Sequence, residues 1–391
     1  MGSTDSRASS EAPPTASQAM ATSPAATTQR EKLNTFGLGL FQRLNAGGNA
    51  SADVVISPLS LSVCLSMVAA GATEGSPTEK EMSAVLGAAA LALPPGCPLE
   101  VANSAWLRGE IKADYVRSIE ANFGADARTL PGVDPAPINA WVRERTKVRI
   151  SSLFPAPLDP LTVMVLVNTV FFKGDWQEPF DPQKTRPASF RPFTGAPIPC
   201  EMMHQKDTHM LYIDSPFAKG VQLPYSSGGL LATILLPVKE GPEALEHLIA
   251  TLSPQIWDAM LGKVKRQHVE LHLPRFKVEF GAGLEEQLKA LGMPTAFEGE
   301  LPSGAFRRMT DDPLVHLSTV IHRATVEVNE AGTVASAATG AVMKTRCIPP
   351  PAVPIVVDRP FLFMITASDG ALFFLAKAVS PTLSGIGATI S

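Results

Sequence analysis

Apolar runs of strand length constrain the fold of this chain more than any other feature. MVLVNTVFF ends at Phe172, GLLATILLPV covers 229–238, and two further runs flank Asp369-Gly370. Strands that lack polar alternation must be covered on both faces, because neither face suits water. Asp-Gly between two such strands is a strong signal for a hairpin. The sequence therefore predicts sheets inside the protein, one of them with a central hairpin.

The remaining patterns predict helices packed on these sheets. In 54–72 a short strand precedes Ser57-Pro58, a typical helix start, and a helix that is apolar nearly all round and therefore central. The buried Cys64 of that helix is predicted to be a reduced thiol. Helical spacing predicts a surface helix over 138–150, and another helix begins near Glu31. Strands and helices alternate without a βαβ period or a repeat, so we predict one large mixed α+β domain.

The ends of the chain differ in composition from this domain. Residues 1–30 are rich in Ser, Thr, Ala and Pro and can bury little apolar surface, so a disordered arm is predicted. The domain is expected over 31–380, followed by a tail at 381–391. The arm lacks the apolar core of a signal peptide, and no run approaches the ~18 apolar residues that a membrane span needs.

The net charge indicates which classes of binding partner are not expected, and the cysteine content indicates the cellular compartment. The formal net charge is −4 and the pI is about 6.0, so general attraction to nucleic acid or anionic membranes is not expected. The four cysteines are far apart, without CxxC or zinc-ligand spacing. This pattern is typical of the reducing cytoplasm, although release from the cell stays open as an alternative.

The sequence offers no positive signal for an enzyme, a cofactor or a metal. GxSxG, HExxH, P-loop and dinucleotide fingerprints are missing. His268, Glu270 and His272 alternate with apolar residues and so share one face of a predicted strand. Two histidines and a glutamate could suggest a metal site. Because no third ligand motif appears, a solvated face is the favoured interpretation.

One long segment between two apolar strands carries a different signal. Residues 332–343 are uncharged and mostly small, and none is proline. In an extended strand Thr333, Ala335, Ala337 and Thr339 would share one face, and all four are small enough to enter a filled interior. A flexible linker is the alternative. However, a linker between buried strands of one domain should be short, so a functional loop is predicted.

Five separated motifs resemble those of serpins, the serine protease inhibitor family. The pattern from Glu330 through Gly332 and Thr333 to Thr339 is similar to the family's hinge. DRPFLFMI, with Asp358, Pro360 and Phe361, resembles the C-terminal signature. ISPLS, NTVFFKGDW, and LPRF followed by GLEEQLKALGM match in the expected order, so the resemblance covers roughly 31–380.

The resemblance implies three β-sheets, eight or nine helices and an exposed reactive loop at about 330–351. It assigns Ser57, Ser60, Asn168 and His322 to a structural group called the shutter, which bonds two central strands together. It also assigns Trp176 and Arg275 to the breach, the region where the hinge meets the sheet. Arg275 is expected to pair with Glu330; a surface pair of this kind contributes only ~0–1 kcal/mol.

The resemblance also implies a mechanism and a partner. A serine protease would attack the loop as a suicide substrate, and the hinge (Glu330, Gly332, Thr333, Ala335, Ala337 and Thr339) would then insert as a new strand. The fourteenth residue after Gly332 is Arg346, which places the reactive bond at Arg346–Cys347 and predicts a covalent complex with a trypsin-like protease. Lys344 and Met343 are the alternatives if the count slips.

Two further expectations depend on the family. The 88–102 segment contains prolines but no basic residue, so the extra helix that most serpins carry there is predicted to be missing or shortened, and activation by heparin is not expected. The protein is expected to be a monomer without cofactors. The alternative function is that of a non-inhibitory serpin, such as a binding protein or a chaperone, whose hinges tend to contain charged or bulky residues.

Overall fold

A computed structural model describes residues 24–46, 51–87, 97–299, 304–333 and 351–381. Eight α-helices lie in these residues, together with short 3-10 helices at Pro182–Lys184 and Pro294–Phe297. The α-helices are α1 (Pro24–Asn45), α2 (Pro58–Ala69), α3 (Pro77–Leu86), α4 (Ala113–Phe123), α5 (Ala136–Arg145), α6 (Pro242–Thr251), α7 (Pro254–Leu261) and α8 (Glu285–Ala290).

A five-stranded sheet contains the strands that form the candidate functional site. Its spatial order is β11-β12-β4-β2-β3, and the pairs β12–β4 and β2–β3 are parallel. The neighbouring strands β4 and β12 are far apart in sequence, and their pairing forms a seam through the middle of the sheet. The strands are β2 (Leu99–Leu107), β3 (Asp126–Thr129), β4 (Met164–Phe172), β11 (Phe276–Gly283) and β12 (Thr319–Val328).

A nine-stranded sheet and a two-stranded sheet complete the fold. The order of the large sheet is β1-β16-β15-β9-β8-β7-β10-β14, and β6 pairs with β7 beside this path. The small sheet joins β5 (Gly174–Asp175) to β13 (Gly332–Thr333). Strands of the large sheet are β1 (Val54–Ile56), β6 (Arg186–Phe190), β7 (Ile198–Asp214), β8 (Ala218–Pro224), β9 (Leu230–Pro237), β10 (Lys265–Pro274), β14 (Val353–Val356), β15 (Phe361–Ala367) and β16 (Leu372–Ala378).

The structure confirms the predicted α+β class, the three sheets and the buried strands. Strands β4 and β9 coincide with the two long apolar runs, and the Asp369-Gly370 hairpin joins β15 to β16 inside the large sheet. Ser57 caps α2 through its side chain, Pro58 begins the helix, and Cys64 is fully buried within it. The predictions of these features are confirmed because each feature depends on local chemistry: a helix cap, a turn or an unbroken apolar face.

Helix bounds differ from the prediction in two places. Helix α1 begins at Pro24, so the last residues of the predicted disordered arm, 24–30, are helical. Proline suits the first turn of a helix, and the Arg30 guanidinium donates to the Asp258 carboxylate at 2.7 Å, which ties this end to α7. Helix α5 ends at Arg145 instead of residue 150, and Lys147 and Val148 have positive φ angles that an α-helix cannot contain.

The alternating segment 268–280 forms two strands instead of one. It divides at Arg275 into β10 of the large sheet and β11 of the five-stranded sheet. The Arg275 amide donates to the Glu201 carbonyl at this point. Alternation alone cannot show that a chain leaves one sheet for another, because the side-chain period is the same in both.

Candidate functional site

The seam between β4 and β12 is the first part of the candidate site. The parallel register runs from Thr319 opposite Val165 to Thr325 opposite Phe171, and it places His322 opposite Asn168. Both residues are fully buried. Because the two strands pair directly, any strand that entered the sheet here would first have to separate them.

Buried polar side chains connect this seam to its neighbours. His322 Nδ1 donates to Asn168 Oδ1 at 2.6 Å, since a carboxamide oxygen can only accept. The amide nitrogen of Asn168 donates in turn to Ser60 Oγ and to Asn103 Oδ1, both at 2.6 Å. Hydrogen bonds therefore join β12, β4, β2 and the first turn of α2.

Ser57 lies beside this group but has other partners. Its hydroxyl donates to the Phe373 carbonyl at 2.7 Å and accepts from the Ser60 amide at 3.2 Å. The family resemblance groups His322 with Ser57, Ser60 and Asn168, and of these three only Asn168 is hydrogen-bonded to the His322 ring. Sequence reasoning also missed Asn103, although a polar amide in a mostly apolar strand is a usable signal.

Burial holds the pKa of His322 at about 3, because the apolar surroundings disfavour the imidazolium. The ring is therefore neutral at pH 7, with its proton on Nδ1. Within the described residues, Nε2 has no hydrogen-bond partner. His322 is thus a neutral hydrogen-bond donor in the folded protein. Protonating it at low pH would place a charge in the protein interior.

We expect His322 to make the protein less stable as the pH falls from 7.5 to 5. Its pKa rises to the ordinary 6.5 on unfolding, so between pH 6.5 and 3 the unfolded chain binds more protons and the stability present above pH 6.5 is lost. At pH 5 the loss is about 2 kcal/mol, or roughly 3 °C in Tm for a domain of this size. Thermal unfolding of wild type and His322→Gln at both pH values measures it.

Glutamine still donates to Asn168 but does not titrate, so the variant should lose part of the acid sensitivity. Exposed His247, replaced by Gln, serves as the control. The lowered pKa of Glu330 acts only below its ordinary value of 4.5 and does not interfere. Equal pH responses of wild type and His322→Gln would contradict this role of His322.

The hinge begins at the end of this sheet, where Trp176 lies. The Trp176 indole donates to the Asn329 carbonyl and its amide to the Ala331 carbonyl, both at 2.9 Å. The ring stacks on Tyr225 with centroids 4.6 Å apart. Trp176 is 3% exposed, so the breach is an interior contact and not a surface one. It holds 329–331 by backbone groups, independently of their side chains.

Gly332 and Thr333 are already paired as strand β13. They lie opposite Asp175 and Gly174 of β5, which follows directly after β4. A Cβ atom on Gly332 would lie 2.2 Å from the Gly174 carbonyl oxygen, so only glycine fits this close approach. Thr333 is fully buried, and its hydroxyl is hydrogen-bonded to Tyr225 at 2.9 Å. Sequence reasoning missed Tyr225 as the partner.

Arg275 and Glu330 form the predicted pair, but the pair is not on the surface. Arg275 Nη2 lies 2.6 Å from Glu330 Oε1, and Thr185 Oγ1 donates to the same oxygen at 2.6 Å. The Glu330 side chain is only 9% exposed. Burial raises its pKa, but the bonds from Arg275 and Thr185 outweigh this effect, and the pKa lies below its usual value.

The pair therefore differs from the surface pair that the sequence predicts, and the figure of ~0–1 kcal/mol for exposed pairs does not describe the loss of one partner here. Removing one partner of a buried pair leaves an uncompensated charge and costs about 3–5 kcal/mol. The 29% exposure of Arg275 places this pair near the lower end of that range. The sequence cannot show this burial, because it depends on Thr185 and the β5–β13 contact, which lie far away along the chain.

Comparison with known proteins decides the family. Residues 31–381 match the family model described as serpin (serine protease inhibitor). The chain is a serpin. It is 34% identical to Serpin B6 of Macaca fascicularis over 375 residues, which cover 88% of this chain and 97% of that protein. A serine protease inhibitor of Cyanea capillata is 30% identical over 357 residues, which cover 85% of this chain and 93% of the relative.

A solved structure shows the same fold. That of human thyroxine-binding globulin has a TM-score of 0.78 and is 24% identical, with 91% of this serpin and 99% of that chain covered. Within the described parts of this serpin, no helix has the length and apolar character that crossing a bilayer requires.

Part of the predicted site lies outside the described residues. Ala335, Ala337, Thr339, Arg346 and Cys347 belong to 334–350, and the segment 88–96, predicted to lack the extra helix, is outside as well. The structure does place the other predicted residues of this serpin in two groups. His322 and Asn168 lie within the seam, with Ser60 and Ser57 beside them at the start of α2. Trp176, Arg275, Glu330, Gly332 and Thr333 lie at the end of the seam.

Proposed function

We propose that this serpin is a covalent inhibitor of trypsin-like serine proteases. The protease serine attacks the carbonyl carbon of Arg346, and the Arg346–Cys347 bond breaks. The new amino group of Cys347 takes the proton, while Arg346 stays on the protease as an acyl ester. The hinge then enters the seam between β4 and β12 as a new strand and displaces the protease before water cleaves the ester.

The observation that carries this proposal is the pairing of Gly332-Thr333 with β5. Strand β13 runs antiparallel to β5, and β5 continues the line of β4. Extending β13 residue by residue would place 334 onward antiparallel to both β4 and β12. The hinge therefore lies at the point from which a new strand would grow between them.

The chemistry of the seam supports insertion at this place. The contacts that cross it at His322 and Asn168 are side-chain hydrogen bonds, which can exchange partners, together with one strand ladder. Small side chains at Ala335, Ala337 and Thr339 would add little volume to the core on the inward face. A large or charged hinge could not enter without a high cost.

A non-inhibitory function is the second candidate. Thyroxine-binding globulin, named as a binding protein, has the same fold, so the fold alone does not decide the activity. The hinge favours inhibition, because it lacks charge, proline and residues bulkier than valine between Gly332 and Thr339. Incubation with trypsin, chymotrypsin and elastase, followed by denaturing electrophoresis, tests the proposal. A complex that survives denaturation is expected with trypsin, and cleavage without any complex would favour the second candidate.

Arg346→Ala should abolish inhibition of trypsin. Trypsin-like proteases carry an aspartate in the primary pocket, and the guanidinium makes a charge-assisted contact there that alanine cannot replace. The rate constant for inhibition should fall by roughly three orders of magnitude. Thermal unfolding of the variant should be unchanged. Undiminished trypsin inhibition by Arg346→Ala would overturn the assignment, and strong loss in Lys344→Ala would shift it to Lys344.

We further propose a monomer in the cytoplasm that works without heparin. The three described cysteines, Cys64, Cys97 and Cys200, are unpaired, which suits a reducing compartment. Burial raises the pKa of the Cys97 thiol to about 11, so this half-buried cysteine is unreactive. The absence of basic residues in 88–102 speaks against heparin activation. Release from the cell is the alternative.

A further inference from the structure

Three side chains on the large sheet form a cluster that inhibition does not use. His204 on β7 lies directly opposite His272 on β10, and Glu270 precedes His272 by one pleat. All three side chains therefore point to the same face of the sheet. Sequence reasoning found His272 and Glu270 but missed His204, which comes from a distant part of the chain. His268, the other predicted candidate, is not part of the cluster.

The distances match those around a bound metal ion. Glu270 Oε1 lies 3.3 Å from His204 Nε2 and 3.6 Å from His272 Nε2. In the described residues this is the group of His, Cys, Asp and Glu side chains whose ligand atoms all lie within 4.8 Å of one another. Metal bonds of about 2.0–2.1 Å in tetrahedral geometry place neighbouring ligand atoms about 3.3 Å apart. The two distances to Glu270 are close to this value, and the two histidine nitrogens lie within 4.8 Å of each other.

We propose that His204, Glu270 and His272 bind a divalent transition-metal ion, best Zn²⁺, with the fourth position open to water. Two imidazole nitrogens and one carboxylate oxygen are a ligand set that zinc favours over magnesium or calcium. The side chains are 28%, 35% and 34% exposed, so an ion can reach them from solvent.

The surroundings orient the ligands for this purpose. Lys206 Nζ holds Glu270 Oε2 at 3.2 Å, which leaves Oε1 facing the two rings. The ring centroids of His204 and His272 lie 4.7 Å apart.

The position of His272 connects the proposed metal site to β14, the strand that follows the predicted reactive loop. On its other side β10 pairs with β14, and His272 lies opposite Val356. Strand β14 begins at Val353, shortly after the loop that contains Arg346. An ion shared by His204 and His272 would fasten β7 to β10, the strand on which β14 is held. Zinc should therefore stabilise the native protein against heat.

Titration calorimetry with Zn²⁺ on the full-length, untagged protein tests the proposal. Wild type should bind one ion per chain, and His204→Ala and His272→Ala should each weaken binding by at least tenfold. His247→Ala is the matched control, because this exposed histidine lies on α6 and does not belong to the cluster. The affinity of this variant for Zn²⁺ should equal that of wild type. Melting without metal verifies that each variant is folded.

Two further readouts separate a metal site from a purely structural ion pair. Zn²⁺ should raise the Tm of wild type but not of His272→Ala. Co²⁺ should give a visible absorption spectrum in wild type that is lost in Glu270→Gln. Failure of wild type to bind Zn²⁺, or equal binding by wild type and both histidine variants, would overturn the proposal.

Discussion

Thr333→Arg should convert the protein from an inhibitor of trypsin into a substrate. The side chain at 333 is fully buried beside Tyr225, and the proposed insertion requires it to stay buried within the sheet. A guanidinium there would replace the hydroxyl that is hydrogen-bonded to Tyr225 and would carry a desolvation penalty of several kcal/mol. The acyl ester should then hydrolyse before the hinge enters. The number of serpin molecules consumed per inhibited trypsin should rise at least tenfold.

Two control variants separate charge from simple disruption of the breach. Thr333→Ser keeps the hydroxyl and should inhibit like wild type. Tyr225→Phe removes the hydrogen bond to Thr333, at a cost of about 1 kcal/mol, and should retain most inhibition. Titration of trypsin activity and electrophoresis of the cleaved serpin measure all three. Full inhibition by Thr333→Arg would contradict hinge insertion.

Cleavage of the loop should raise the melting temperature of the protein. A hinge inserted between β4 and β12 gains a hydrogen-bonded ladder on each side, whereas the seam loses only one. If about ten residues insert, even a net gain of ~5 kcal/mol raises Tm by roughly 5–10 °C at about 1–2 °C per kcal/mol. Differential scanning calorimetry before and after a single cleavage measures this effect.

As a control, the Thr333→Arg variant is cleaved in the same way and its melting temperature is measured before and after cleavage. That variant should be cut at the same bond but should gain little or no thermal stability, because its hinge cannot enter the seam. An unchanged Tm in cleaved wild type would indicate a non-inhibitory serpin. A large gain in both proteins would show that stabilisation does not require entry of residue 333.

The sequence predicts those parts of the structure that depend on neighbouring residues. Pro58 and Ser57 start α2, Asp369-Gly370 turns the hairpin, and the apolar run ending at Phe172 becomes the buried β4. Each signal lies within a few residues and has one physical solution. The family motifs add the positions of the shutter and the hinge, which no local pattern of a single element reveals.

What the sequence could not predict depends on contacts between distant segments. The burial of Glu330 arises from Thr185 and Arg275, and the third ligand opposite His272 comes from β7. The division at Arg275 arises because one alternating segment serves two sheets. In each case the residue types were visible in the sequence, but their partners were set by sheet register and packing.

Mass spectrometry of the denatured trypsin complex tests the central claim most directly. We predict a covalent complex in which the protease serine carries the serpin chain ending at Arg346, together with a released peptide that begins at Cys347. A complex of this composition requires both cleavage at the predicted bond and a trapped acyl ester. A released peptide that begins elsewhere would refute the assigned bond, and complete cleavage without any covalent complex would contradict inhibition itself.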